Sequence, residues 1–137
     1  MSSRQWLEVI FLLNATVLCV HQIDAAFWHE WNMFKIPGGN QINLLLNLPI
    51  IASVFMAFRH VVKQSQRMYL AHIYLVALGL LTLLLHTALF VTGYNEFLQP
   101  MSLLLITAAG VLSVTQLFLL WADMKSCRNP SNQVNKS

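Results

Sequence analysis

Charge is what this chain has least of. Only 9% of its residues are charged and 57% are hydrophobic, whereas roughly a quarter of an ordinary soluble domain is charged. So apolar a chain cannot hide its side chains inside one small core, and its long segments lack the polar faces of a soluble helical bundle. Cysteine is equally scarce. The two present, Cys19 and Cys127, fall at opposite ends under the topology derived below, which excludes a disulfide framework and a Cys-type metal cluster. There is no Gly-rich phosphate loop, no G-x-S-x-G elbow and no H-E-x-x-H. His29-Glu30-Trp31-Asn32-Met33 opens like the last of these but carries Met33 where the second histidine belongs. No span carries the charge ladder of a voltage sensor.

What the chain has instead is apolar length. Four runs, at about residues 6–23, 41–58, 69–93 and 101–121, approach or reach the roughly 20 residues that cross a bilayer as helix. Arg4, Arg59, Lys63, Arg67, Lys125, Arg128 and Lys136 all flank these runs on one side. Lys35 stands alone on the other, with Asp24, Glu30 and Glu96. That is the asymmetry of the positive-inside rule, so the net charge of +3 sets topology and does not mark a nucleic-acid surface. The expected fold is all-α: a polytopic, antiparallel four-helix transmembrane bundle with both termini inside. Residues 1–123 form the transmembrane domain and 124–137 a polar cytoplasmic tail. The first span, which lacks a small-x-small cleavage site, is read as uncleaved.

Polar residues inside the spans are the informative ones, because lipid leaves them unpaired. Asn14, His21, Asp24, Trp28 and Trp31 follow one stripe if the first helix continues past the membrane. Trp28 and Trp31 also suit an interfacial aromatic belt. Asn40, Asn43 and Asn47 recur at helical spacing near the start of span two, ahead of Pro49, and serve either as interhelical glue or as a cavity lining. His72, Gly79, Thr82, His86 and Gly93 share a face of span three. Ser102, Ile106, Ala109, Ser113 and Gln116 make a small-residue seam on span four, which suits close helix packing.

Topology brings His21, Asp24 and His86 together near the outer face, with His29 and Glu30 at the rim and Asn14, Trp28, Trp31, Asn43 and Asn47 as ligand-contacting residues. An i, i+3 His/Asp pair with a histidine from a neighbouring span can hold a divalent metal, with His29 and Glu30 as further ligands, and leave a position open. The same groups can instead transfer protons to a lipophilic substrate, Asp24 orienting His21. The bland account is that His21 and Asp24 bond one another and fix packing.

Two other functions stay open. His72 and His86 lie on one face about 21 Å apart, as in helices that ligate one haem b near each membrane face. Their partners would be His21 outside and His60 inside, although His60 sits beside Arg59 at the end of its span. Alternatively the protein is a structural or accessory subunit of a membrane complex, or a homodimer joined through the span-four seam.

At His21-x-x-Asp24-Ala25, followed by Trp31, Phe34 and Pro37-Gly38-Gly39, the chain resembles small multi-span bacterial membrane proteins of unknown function. More loosely, it resembles the family named for an H-x-x-E-E motif. Asp24 and Ala25 stand where that family has two glutamates, one ligand fewer. The resemblance implies a multi-pass protein of the bacterial inner membrane and implies no reaction.

Overall fold

The computed structural model describes residues 2–94 and 98–128. Glu96 and the rest of 95–97, and the tail from 129 onward with Lys136, lie outside the described residues. Among those described there is no strand. Five helices follow in order: α1 (Ser3–Phe27), α2 (Glu30–Met33), α3 (Gly39–Val62), α4 (Met68–Val91) and α5 (Pro100–Arg128). The four long ones reach mean hydropathies of 1.6, 1.7, 2.2 and 2.2 and are long and apolar enough to cross a membrane. By length and composition this is a small multi-pass membrane protein.

The helix boundaries have local causes. Ser2 and Gln5 form a capping box, each side chain bonded to the other's backbone N–H, which occupies two of the donors a helix start leaves over. α1 then runs to Phe27 and stops. Its capping residue Trp28 is followed by His29 at φ 53°, a left-handed conformation uncommon for a residue with a side chain. The chain turns there, so the stripe on α1 does not continue to Trp31, which belongs to the separate single turn α2. Gly38, at φ 107°, supplies the next reversal, where an L side chain would be strained. α5 remains helical to Arg128, past the point where a polar tail is expected from sequence.

The helices are unequally packed. α4 and α5 approach closest, because Gly79 faces the Ser113 side chain and a Cβ at Gly79 would meet the Ala109 carbonyl at 3.1 Å. The whole α5 seam of Ser102, Ile106, Ala109, Ser113 and Gln116 is buried inside the chain. It is used for internal packing and offers no face to a second copy. α3 is the loose member. Of its most apolar window 11% is buried, against 39% in α1 and α5, and its buried residues Val54, Ala57 and Val61 all lie in the second half. Before Pro49, Leu44, Leu45, Leu46 and Leu48 are exposed in succession. Among the described residues none buries these leucines, and a cavity lies between the middle of α3 and α1 and α4.

Candidate functional site

Two polar clusters are buried in this apolar bundle, both on α4. The first surrounds His86. His21 on α1, Glu30 on α2 and His86 on α4 each offer a ligating atom, and these atoms lie within 4.8 Å of one another. His21 and His86 are 2% and 1% exposed, with ring centroids 4.8 Å apart in an edge-to-face arrangement. His86 Nδ1 is 2.9 Å from the Thr82 carbonyl oxygen, one turn back on the same helix. A carbonyl only accepts, so Nδ1 carries the proton and donates it. In the neutral ring the lone pair is therefore on Nε2, which faces Glu30 Oε1 at 3.9 Å. That is the arrangement in which a backbone carbonyl fixes the tautomer of a metal-ligating histidine.

Glu30 reaches this point because of the turn at His29. Sequence places it at the rim; the reversal folds it back until its side chain is only 17% exposed. Burial first, and then the neighbouring charge of Asp24, push its carboxyl from 4.5 up to about 7. Asp24 stands behind the cluster. Its Oδ1 accepts from the Ser102 hydroxyl at 3.1 Å, and its Oδ2 is buried with no hydrogen-bond partner among the described residues. Two carboxylates side by side at a buried site favour a cation near them.

The cluster forms the polar wall of a cavity of about 180 Å³ whose remaining lining is mostly apolar, including Ile50, Ile51 and Val54 from α3 and Leu78, Leu81 and Leu85 from α4. Cys19 and Gln22 complete the α1 side.

The other sequence-proposed residues lie elsewhere. His29 is exposed and its ring stacks edge-on against Trp31 at 5.0 Å. Trp31 is 7% exposed and sits in the core, whereas Trp28 packs against the small cluster of Met33, Leu89 and Ile106. The exposed tryptophans are Trp6 and Trp121, the latter beneath Lys125 Nζ at 5.1 Å, as interfacial anchors would be. Asn47 Nδ2 donates to Asn43 Oδ1 at 2.9 Å along α3, and neither amide lines the cavity.

The second cluster surrounds His72, and sequence reasoning missed its design. Asn14 Nδ2 donates to Ser113 Oγ at 3.1 Å and to Gln116 Oε1 at 2.9 Å. Gln116 then turns its Nε2–H to His72 Nδ1 at 2.8 Å. His72 Nδ1 thus accepts, the proton of the neutral ring is on Nε2, and that atom has no hydrogen-bond partner among the described residues. Phe11 packs edge-on against the ring at 5.3 Å. Below it Tyr69 donates to Asp123 Oδ2 at 2.9 Å. The available signal was Asn14 and Gln116 both lying in apolar spans, where each needs a partner.

Neither cluster fits haem. Two imidazoles in edge contact leave no gap for a porphyrin plane between them. At the other cluster, His72 is bonded to Gln116, and His60 Nδ1 is bonded to the Ser65 hydroxyl at 2.9 Å.

No curated protein and no solved structure matches this chain. A family model does match, over residues 7–123, which takes in all four long helices and both polar clusters. The chain belongs to that family, a family of unknown function designated DUF6713.

Proposed function

We propose that the protein binds one divalent transition metal, zinc by preference, through His21, His86 and Glu30, and presents the open coordination position to the cavity beside α3. The observation that carries this is the orientation of His86: Nδ1–H is tied to a carbonyl, and Nε2 faces a carboxylate oxygen at 3.9 Å. A lone pair opposite a carboxylate is repulsive unless a proton or a cation lies between them. Two ligands about 2.1 Å from one ion stand at most about 4.2 Å apart, so the 4.8 Å limit on the set closes with a side-chain shift of about 1 Å. Two imidazoles and one carboxylate with a free fourth position are the donor set of catalytic zinc. Asp24, hydrogen-bonded to Ser102, balances the second positive charge without joining the coordination shell. His29 stays outside it.

The same reading carries a topology. The basic residues on one side argue for an antiparallel bundle with both termini in the cytoplasm, a transmembrane domain of 1–123 and a cytoplasmic tail of 124–137. The His21-x-x-Asp24 stretch argues for kinship with the H-x-x-E-E proteins of the bacterial inner membrane.

Competition against a chromophoric chelator, with detergent-purified protein, tests the metal site. One zinc per chain is expected, with His21→Ala weakening it by about a hundredfold or more. Wild type that binds no metal, or a variant that binds as wild type does, sinks the proposal. The cluster is then a proton-sharing packing device, as in a structural subunit.

A further inference from the structure

The cavity that the metal cluster lines does not end at the cluster. A second, larger space of about 370 Å³ runs along α1 and α3 as an open groove, with Leu12, Ile23 and Phe55 exposed along it. The two share Cys19 and Val54 as lining residues, so they adjoin across that pair of side chains. The walls of the second include Leu12, Ala15, Val20, Ile23, Phe55 and Phe58. Its one hydroxyl, Thr16 Oγ1, is already committed to the Leu12 carbonyl at 2.8 Å. From Leu12 to His21 the helix rises about 14 Å, the length of a medium-chain lipid tail. The groove between α1 and α3 is thus almost entirely apolar, and the adjoining cavity carries the imidazoles and the carboxylate.

We infer that the joined cavities hold a single-chain, uncharged lipophile, its tail between α1 and α3 and its terminal oxygen, a hydroxyl or carbonyl, at the open metal position. This deepens the metal reading, on which the identity of the polar end rests; the path of the tail does not depend on it. Access is lateral. α3 buries nothing before Val54, and Leu81 and Leu85 on the facing edge of α4 are half-exposed, so the entrance opens into the hydrocarbon of the membrane. A single chain is specified because the two cavities adjoin only at Cys19 and Val54. An uncharged head is specified by charge balance: a divalent ion beside the two carboxylates Glu30 and Asp24 is already neutralised. A third anion would leave a net charge in a low-dielectric site.

The test is photolabelling of zinc-loaded protein in phosphatidylcholine nanodiscs, with the adducts mapped by mass spectrometry. The probes carry the same diazirine near the tail end of tetradecanol, of tetradecanoate and of phosphatidylcholine. The expected result is tetradecanol adducts enriched about tenfold on α1 and α3 groove residues such as Phe55 and Thr16. The reference is Leu104 and Val111 of α5, which are about as exposed as Phe55 but line neither space. Ala15→Trp, which fills the groove and does not line the cavity at the metal cluster, should reduce this enrichment while zinc content stays unchanged, and zinc removal should also reduce it. Equal enrichment by the carboxylate or by the phospholipid overturns the inference, as does labelling spread evenly over the lipid face. Zinc measured in the same samples separates the two failures. Bound zinc with dispersed labelling overturns only the lipophile. Groove labelling that is unchanged by zinc removal overturns the assignment of its polar end to the metal. Absence of zinc from wild type overturns the metal reading and that assignment with it.

Discussion

His72 and His86 invite the same description and turn out to be opposites. They lie on one face of α4, fourteen residues apart, and are 0% and 1% exposed. His72 accepts from an amide at Nδ1 and carries its proton on Nε2, in a network of amides and hydroxyls with Phe11 against the ring. His86 donates from Nδ1 to a carbonyl and presents Nε2 to a carboxylate, beside a cavity. Burial and helical spacing do not separate the two. The neighbour that fixes the tautomer does: a side-chain donor makes His72 Nδ1 an acceptor and puts its proton on Nε2, whereas a backbone acceptor leaves the lone pair of His86 on Nε2, toward the carboxylate. The His72 cluster sits where α1, α4 and α5 are in tight contact, and the His86 cluster sits where α3 has drawn away.

Removing the hub of the structural cluster should have the largest effect on stability. Gln116→Leu strips the acceptor from Asn14 and the donor from His72 while both remain buried. It is expected to cost about 2–3 kcal/mol, seen as a lower melting temperature in detergent with metal content unchanged. Loss of metal in this variant would show that the clusters are coupled, and the contrast would break. Gly79→Ala follows, at about 1–3 kcal/mol, because the new methyl meets the Ala109 carbonyl and the Ser113 side chain. Combining it with Ser113→Gly should recover part of that loss, since one of the two obstacles is gone.

The pH dependence sharpens the other side of the comparison. Glu30 is raised from 4.5 to about 7 in the folded protein, so between those values this carboxyl holds more proton in the folded state than in the unfolded one. Its own contribution to the stability of the metal-free protein is therefore lost as pH rises from about 4.5 to about 7. Relative to Glu30→Gln, wild type should lose stability across that range. Thermal melts across this range in chelator measure it, and a wild-type melting temperature that rises with pH in step with the variant's contradicts the assignment. Smallest of all is Asn47→Ala. Its amide bonds only to Asn43 on its own helix, and the change should fall within about 0.5 kcal/mol.

The four helices are legible because hydropathy and length alone decide them. So is the seam of α5, since Gly79 and Ser113 can approach closely only if both are small. His86 is marked by the cost of a histidine in hydrocarbon, and His21 by its place at the end of the first span. Three features are hidden in the sequence. His29 adopts a left-handed conformation that is uncommon outside glycine, so nothing announces that Glu30 folds inward, and a helix continued through Trp31 is the natural reading. The Asn14–Gln116–His72 chain depends on residues separated by about a hundred positions, beyond any local periodicity. The exposure of the first half of α3 is a property of packing, because Leu44, Leu45, Leu46 and Leu48 read the same whether they face lipid or a neighbouring helix. Asn43 and Asn47 mislead for the same reason: spacing places them on one face without saying what that face meets.

The contrast between the two histidines is tested most directly by elemental analysis of wild type, His86→Ala and His72→Ala, purified side by side in detergent without chelator. Near-stoichiometric zinc is expected in wild type and in His72→Ala, the latter with a lowered melting temperature, and metal is expected to be lost from His86→Ala. Metal retained in His86→Ala, or lost from His72→Ala while that variant still melts as a folded protein, would contradict the contrast.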